Sequence, residues 1–268
     1  MTMNNPDAGP ESTAPPSRRA RVLAVTSGKG GVGKTVVSAN LAAALAQRGE
    51  RVLVLDADLG LANLDVVLNL YPRTTLHDVF TGKAMLDDAI VPAPGGFSVL
   101  LAGSGMVEYS RLTPELRTRL RDTIDALSPR FDVILLDTGA GISDVVLFSV
   151  SLADEVLLVV TPEPTSMTDA YATIKVLSTQ QRREVIRLVV NQTGRLGEAR
   201  AIRGQLQRVV DHYVNAAAVQ PLKLELVGEI PTDAAVRDAV QRRQLLLEVY
   251  PGSTAAKAVN ALAARLAP

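Results

Sequence analysis

The sequence of 268 residues contains no cysteine and no tryptophan, and aromatic residues make up only 3% of it. The absence of cysteine excludes a disulfide framework and any metal site built from thiolates, and it is consistent with a cytosolic protein. The two histidines, His77 and His212, stand alone, without ligand partners at metal-binding spacing. Neither a histidine metal site nor a nucleophile–histidine pair for covalent hydrolysis is therefore indicated.

The sequence also lacks an excess of charge and a long apolar run. Its 28 basic and 28 acidic side chains balance, which argues against bulk electrostatic attachment to nucleic acid or to acidic membranes. No run approaches the roughly 20 apolar residues that cross a bilayer, and the start of the chain lacks the pattern of a signal peptide. Residues 1–19, rich in Pro, Ser, Thr and Asn, are predicted to be a disordered tail. One domain is predicted over residues 20–268.

What the sequence does contain, from residue 21 onward, is a regular alternation of apolar runs and segments with helical spacing. The runs cover residues 21–28, 51–58, 97–104, 131–138, 155–163, 185–192 and 222–230. Most are continuous in Val, Leu and Ile, as is typical of parallel strands covered on both faces by helices. Helices are predicted at residues 35–48, 113–127, 143–153, 165–179, 197–214, 233–247 and 253–266. We therefore predict an α/β fold with a doubly wound, mostly parallel sheet, whose ligands bind at the carboxyl ends of the strands.

The stretch SGKGGVGKT, residues 27–35, joins the first run to the first helical segment. Its spacing Gly28-(x)4-Gly33-Lys34-Thr35 matches a phosphate-binding loop, in which backbone N–H groups surround an anion that side chains would keep out. Lys34 is expected to reach the β- and γ-phosphates, and the Thr35 hydroxyl is expected to bind Mg²⁺. The residues predicted to contact nucleotide here are Gly28, Lys29, Gly30, Gly31, Val32, Gly33, Lys34, Thr35 and Val36.

A second lysine, Lys29, follows the first glycine of this loop and is not needed to surround the phosphates locally. With it, the loop resembles the deviant Walker A loop of the MinD/ParA family of dimerising ATPases. In that family this lysine contacts the nucleotide of the partner subunit. The resemblance implies that Lys29 acts in trans, where a cation stabilises charge on the transferring oxygens and hydrolysis depends on dimerisation. The alternative is that Lys29 is an ordinary surface lysine.

Three aspartates follow buried runs and are predicted to serve the phosphate site. Asp56 and Asp58, spaced by two on one strand, can hold Mg²⁺-bound water and orient the attacking water. By resemblance, Asp58 matches the family's water-positioning aspartate and Asp56 a residue near the metal; turn chemistry at the strand end is the alternative for both. Asp137 ends VILLD, as in a Walker B strand that supports Mg²⁺. Gly141 is predicted to offer its backbone N–H to the γ-phosphate.

Two further segments are predicted to hold the base. Asn191 ends the run VIRLVVN, and related ATPases use an asparagine at this strand end to bond the adenine edge. The segment Ile230-Pro231-Thr232-Asp233 follows the last strand, and its backbone is expected to close over the base. The predicted base contacts are Asn191, Pro231, Thr232 and Asp233, with a turn role as the alternative for Asn191.

The resemblance covers nearly all of residues 21–266 and is strongest to the FlhG branch of the family, also called FleN or YlxH. It is carried by DADLGLANLD (56–65), DTGAGISDVV (137–146), EPTSMTDAYATIKVL (163–177) and VGEIPTDAAVRDAVQRRQLLLEVYP (227–251). The resemblance implies a slow, Mg²⁺-dependent ATPase, with ATP or ADP bound, that forms a homodimer when ATP-bound and controls flagellar number. Implied partners are an FlhF-type GTPase, flagellar switch proteins or a flagellar transcription regulator. The implied location is the cytoplasm or the inner face of the cell membrane.

Two departures limit what the resemblance implies. Residues 1–20 contain no counterpart of the DQAxxLR motif by which many FlhG proteins activate FlhF. The segment 253–268 is alanine-rich, with Lys257 and Arg265 as its cations, whereas a membrane-surface helix combines a bulky apolar face with several basic residues. We predict that this segment packs on the domain and that membrane contact is weak or absent.

The residues leave other functions open, chiefly a MinD-like site-selection or ParA-like partition ATPase that binds partners or DNA when ATP-bound. Seven arginines would suit DNA if they shared one face: Arg182, Arg183, Arg187, Arg195, Arg200, Arg203 and Arg208. Glu184 and Glu198 interrupt them and no aromatic platform is near, so direct DNA binding is not favoured. A small-molecule kinase is disfavoured because Lys29 would have no role in it.

Overall fold

The computed structural model describes residues 19–60, 62–103, 111–195, 197–218 and 220–267. Within these residues, eight strands form one sheet with the order β3-β4-β2-β5-β1-β6-β7-β8. The strands are β1 (Arg21–Ser27), β2 (Val52–Ala57), β3 (Ile90–Pro92), β4 (Ser98–Leu100), β5 (Val133–Ala140), β6 (Glu155–Val160), β7 (Val185–Thr193) and β8 (Lys223–Pro231).

Helices cover both faces of this sheet. They are α1 (Lys34–Ala46), α2 (Leu64–Leu68), α3 (Leu76–Phe80), α4 (Leu86–Ala89), α5 (Pro114–Leu127), α6 (Asp144–Ser151), α7 (Pro164–Gln181), α8 (Glu198–Tyr213), α9 (Ala234–Gln241), α10 (Leu246–Val249) and α11 (Thr254–Leu266). A short 3₁₀ helix, Asn215–Ala217, follows α8. Neighbouring strands pair in parallel except for β3 and β4, which pair antiparallel. The predicted doubly wound α/β fold is therefore confirmed.

The continuous apolar runs are explained by two cores, one on each face of the sheet. Along β1, Val22 and Ala24 pack on one side, with residues of α5, α6, α7 and α8. Leu23 and Val25 pack on the other side, with residues of α1, α9, α10 and α11. Successive side chains of a strand point to opposite faces, so a strand covered on both sides needs apolar residues at every position.

The structure departs from the sequence prediction in its short elements. The edge strand β3 has three residues and no apolar run of its own, and α2, α3 and α4 occupy a region in which no helix was predicted. The single helix predicted at 233–247 is two helices, because the chain turns after α9 through Arg243, whose φ of 55° is left-handed. These elements are shorter than the span over which a hydrophobic period can be recognised.

Two of the sequence predictions concern the ends of the chain: a packing helix at the C-terminal end and a tail at the N-terminal end. The helix α11 buries Ala255, Val259 and Leu262 against the domain and contacts β8 and α1, as predicted for a packing helix. The predicted tail lies outside the described residues except for Arg19. Among the helices in the described ranges, none combines the length and the apolar character needed to cross a membrane.

Candidate functional site

The phosphate-loop residues connect the carboxyl end of β1 to the first turn of α1. Gly33 caps α1 with a left-handed φ of 92°, and a Cβ there would lie 2.6 Å from the Nδ2 atom of Asn191. A Cβ on Gly28 would lie 2.2 Å from the backbone of Asp169 in α7. Glycine is therefore favoured at position 33 by backbone conformation and close packing, and at position 28 by close packing alone. The first N–H groups of α1 begin at Lys34, which makes this turn a ready anion site.

Lys34 lies partly buried between two acids at the centre of the site. Burial lowers the pKa of Lys34, while the charges of Asp137 and Asp58 act in the opposite direction. A lysine desolvated in this way gains strongly from an added anion, because its charge is weakly screened. This is the environment that the predicted contact with the β- and γ-phosphates needs.

Asp137 stands in β5 beside the hydroxyl groups of α1. The Ser38 hydroxyl donates to its Oδ1 atom at 2.8 Å. Burial raises the pKa of Asp137 to about 6, and hydrogen bonds from Thr35 and Ser38 oppose this shift. The carboxylate is thus desolvated but well oriented, as an apolar Walker B strand would deliver it.

The oxygen atoms gathered here suit a hard divalent cation. In the described ranges, no three His, Cys, Asp or Glu side chains form a metal-binding group. Mg²⁺ in nucleotide sites keeps several waters and takes one or two protein oxygens besides the substrate phosphates. Thr35 and Asp137 lie together and fit that limited donor set.

Asp56 lies deeper than the sequence suggested. It is 1% exposed at the end of β2 and is in register with Asp137 on β5. Burial, and then the charge of Asp137, raise the pKa of Asp56 well above its usual range. Its Oδ1 accepts the N–H of Asp58 at 3.2 Å and its Oδ2 accepts the N–H of Leu64 at 3.4 Å. Asp56 therefore shows the turn chemistry that the sequence left as the alternative, and its predicted metal contact stays a prediction.

Asp58 follows β2 and faces the carboxyl end of β5. A Cβ on Gly139 would lie 3.3 Å from the Oδ1 atom of Asp58. The carboxylate is close enough to Lys34 to act on its pKa. The structure thus brings Asp58 to the phosphate loop, as its predicted role with the attacking water requires.

The Lys29 side chain contacts different residues from the Lys34 side chain, although both lysines belong to the same loop. Its Nζ lies 2.7 Å from the Oε2 atom of Glu163 and donates to the Thr165 hydroxyl at 2.9 Å. Its own carbonyl accepts from the Ser27 hydroxyl at 2.7 Å. Sequence analysis missed Glu163 and Thr165, which lie more than 130 positions along the chain. The polar TPE tail after β6 marked this strand end without indicating a bond to Lys29.

Gly141 is placed beside the phosphate loop, and its amide already has a partner. Its φ of 87° is left-handed, and its N–H donates to the Ser27 carbonyl at 2.8 Å. The predicted contact of this N–H with a γ-phosphate would require that bond to break. Ser27 also bonds to Lys29, so a shift at Gly141 would reach the loop that carries both lysines.

The predicted base residues line a cavity of about 360 Å³ next to the start of α1. The predicted residues that line it are Gly33, Val36, Asn191, Pro231, Thr232 and Asp233. The Asn191 side chain donates from Nδ2 to the Val32 carbonyl at 2.8 Å, which ties the base pocket to the phosphate loop. Sequence analysis missed the apolar wall that Val37, Val236 and Leu246 supply, because it lies on three helices distant in sequence.

Asp233 holds the rim of this cavity together. Its carboxylate accepts from the Thr254 hydroxyl at 2.7 Å and from the N–H groups of Ala235 and Ala255. These hydrogen bonds, with Thr254 first, lower the pKa of Asp233. The side chain thus joins the starts of α9 and α11, and its backbone remains beside the cavity.

Known proteins match this chain along most of its length. The family model described as the CobQ/CobB/MinD/ParA nucleotide binding domain matches residues 23–247. The antiactivator FleN of Pseudomonas aeruginosa is 44% identical over 246 residues, which cover 92% of this chain and 86% of FleN. The flagellum site-determining protein YlxH of Helicobacter pylori is 32% identical, over 92% of this chain and 81% of YlxH.

A solved structure agrees with these sequence matches. The septum site-determining protein MinD of Pyrococcus horikoshii, complexed with Mg-ADP, superposes with a TM-score of 0.75 at 28% identity. The match covers 92% of this chain and 96% of that one. The chain therefore belongs to the CobQ/CobB/MinD/ParA nucleotide-binding family, as a Mg²⁺- and ATP-dependent ATPase of its MinD/ParA branch that is homologous to FleN and YlxH.

Proposed function

We propose that this ATPase is an ATP-gated monomer–dimer switch that controls the number or placement of flagella. One observation carries the switch: the two lysines of one loop occupy different environments. Lys34 is partly buried near Asp137 and Asp58, whereas the Lys29 side chain is 37% exposed and bonds to the start of α7. A cation held at the open side of a phosphate site is suited to reach the nucleotide of a second subunit.

The residues of this chain divide the hydrolysis between them. The amides of residues 28–36 and the Lys34 ammonium hold the phosphates, and Asn191 with residues 230–233 holds the base. Thr35 and Asp137 hold Mg²⁺, which neutralises charge on the phosphate oxygens when bound. Asp58 orients the attacking water and accepts its proton, and Lys29 of a second subunit stabilises the charge that develops on the transferring phosphoryl group.

The flagellar role is supported by the relatives. FleN is called an antiactivator and YlxH a flagellum site-determining protein, and both match over nine-tenths of this chain. A transcription regulator is accordingly the first partner to test, followed by flagellar switch proteins and an FlhF-type GTPase. MinD of Aquifex aeolicus, 30% identical, has been solved in complex with MinC, which shows that a protein of this fold can carry a partner.

Direct DNA binding has less support, because several of the clustered arginines serve the fold. Arg183 donates to the backbone carbonyls of Val150, Ala153 and Asp154 at the end of α6. Arg187 pairs with Glu155 at the opposite end of the sheet from the nucleotide site. Arginines occupied in this way cannot form one basic face for phosphates.

Light scattering on a sizing column tests the switch. Wild type and Lys29→Ala are each run with ADP and with a non-hydrolysable ATP analogue. We expect wild type to dimerise only with the ATP analogue and Lys29→Ala to remain monomeric while still binding nucleotide. If wild type binds the analogue and stays monomeric, the proposed switch is wrong.

A further inference from the structure

The buried carboxyl group of Asp56 accepts hydrogen bonds from both ends of the segment that connects β2 to α2 and carries Asp58. The chain leaves β2 after Ala57 and begins α2 at Leu64, and the residues described between them are 58–60 and 62–63. The N–H of Asp58 at the start of this segment donates to Oδ1 of Asp56, and the N–H of Leu64 after its end donates to Oδ2. The Asp56 side chain therefore bonds to the chain at two places: where it leaves β2 and where it begins α2.

The chemistry of these contacts requires a carboxylate. The bond from Asp58 N–H to the side chain two residues before it is an Asx-turn, which directs the chain out of the strand. The bond from Leu64 occupies the second oxygen. The carboxyl group of Asp56 places an acceptor oxygen opposite each of the two amides, whereas asparagine accepts through one oxygen and presents an NH₂ donor in place of the other. An asparagine at residue 56 would set this donor against one of the two N–H groups.

Water cannot easily replace the lost bond, because the surroundings are closed. Asp56 is 1% exposed, and the side chain of Leu64 is fully buried in the core on one face of the sheet. A buried N–H donor without a partner destabilises the folded state, so this segment would shift to satisfy it. The shift would move the Asp58 carboxylate, which lies next to Gly139. A Cβ added to Gly139 would be 3.3 Å from its Oδ1 atom.

We propose that Asp56 is a positioning residue that holds the chain at Asp58 and at Leu64 and thereby orients the Asp58 carboxylate, rather than a metal ligand. This inference rests on the proposed role of Asp58 in hydrolysis. It assigns the loop clamp, and not the binding of Mg²⁺ or nucleotide, to Asp56. The matched control is Asp65, one residue beyond the clamp, whose Oδ1 accepts only the neighbouring N–H of Val66 among the contacts recorded for its carboxylate in the described ranges.

Amide hydrogen exchange tests the clamp without any activity measurement. In nucleotide-free wild type, the amides of Asp58 and Leu64 should be protected. In Asp56→Asn, exchange at one or both of them should rise at least tenfold, while amides of β5 stay unchanged. Asp65→Asn should leave both as in wild type. If both amides exchange at unprotected loop rates in wild type, the proposal fails, and this outcome needs no variant to fold.

Steady-state kinetics separates positioning from metal binding. For Asp56→Asn we expect kcat to fall by about ten- to a hundredfold, as for a displaced catalytic group, with the KM for ATP within about threefold of wild type. Dimerisation on the ATP analogue should persist, and Asp65→Asn should keep the wild-type kcat. Rescue of Asp56→Asn by excess Mg²⁺ would overturn the proposal in favour of a metal role. A kcat within twofold of wild type would also overturn it. An inactive, non-dimerising wild type would instead refute the proposed switch and leave the exchange result standing.

Discussion

Charged side chains are arranged in opposite ways at the two ends of the central strands. Near the amino ends, Arg21 and Arg187 both lie within ion-pair distance of Glu155, so unlike charges face one another within the chain. At the carboxyl ends, Asp56 and Asp137 lie side by side as two acids, each with a raised pKa. The first arrangement places unlike charges together in the free protein, whereas ionisation of the second is favoured by an added cation. Like charges kept in a cleft against their own repulsion mark a ligand site.

The largest effect should come from removing the acid that orients water. We expect Asp58→Ala to lower kcat by at least about a hundredfold while ATP binding and dimerisation persist, since the phosphate loop is untouched. Asp132→Asn at the other end of the sheet, where Asp132 pairs with Arg51, is the control and should keep its turnover. Radiolabelled ATP hydrolysis measures both. Turnover retained in Asp58→Ala would remove this residue from the mechanism.

The next prediction concerns the pH dependence of the unfolding free energy, to which Asp137 at the carboxyl ends of the strands should contribute. The pKa of Asp137 is about 6 in the folded protein, above its ordinary value of 3.8. The folded state therefore binds the proton more tightly than the unfolded state, and ionisation destabilises the nucleotide-free protein. As pH rises from about 4 to about 7, wild type should lose about 2 kcal/mol of unfolding free energy relative to Asp137→Asn.

Urea denaturation across that pH range checks the sign. The Asp137→Asn curve should lack this part of the slope, and Mg²⁺ with nucleotide should reduce it in wild type, because a bound cation favours the ionised carboxylate. Parallel curves for the two proteins would show that Asp137 titrates normally in the folded state and that the comparison between the two ends fails.

The sequence predicted the site residues that belong to short motifs, but not the contacts between residues far apart in the chain. Lys34, Thr35 and Asp137 follow from motifs in which strand, loop and helix are adjacent in the chain. The bond from Lys29 to Glu163 spans 134 positions and has no local pattern. For Asp56, metal and turn roles call for the same residue at the same strand end, and only the positions of the two bonded amides favour the turn role that we propose. The glycine pattern indicated phosphate binding, but not that Gly28 also packs on α7.

A smaller effect is expected at the amino end. Glu155→Gln removes the carboxylate that partly buried Arg21 and Arg187 share, which should lower the free energy of unfolding by about 1–3 kcal/mol. The ATPase rate should stay within about twofold of wild type, since no nucleotide group is near. A large loss of turnover with unchanged stability would mean that this end takes part in function.

The smallest effect concerns the ion pair at the open side of the site. The side chains of Lys29 and Glu163 are 37% and 59% exposed, so the pair should contribute under about 1 kcal/mol. Glu163→Gln should leave the melting temperature nearly unchanged. It should lower the protein concentration needed for ATP-dependent dimerisation by up to about fivefold, because Lys29 no longer has to leave a negatively charged partner. A higher required concentration would show that Glu163 supports the dimer.

Mixing two inactive variants tests most directly whether Lys29 acts across subunits. A heterodimer of Lys29→Ala and Asp58→Ala holds one site with an intact Asp58 and with Lys29 supplied by the other subunit. Lys29→Ala alone is expected to stay monomeric, but a mixed dimer keeps the trans contact of one Lys29, so at concentrations where mixed dimers form ATP hydrolysis should recover to at most about a quarter of the wild-type rate per chain. If the mixture stays as inactive as either variant while pull-down through an affinity tag on one variant shows mixed dimers, Lys29 works within its own subunit and the account of a dimerisation-gated ATPase is contradicted.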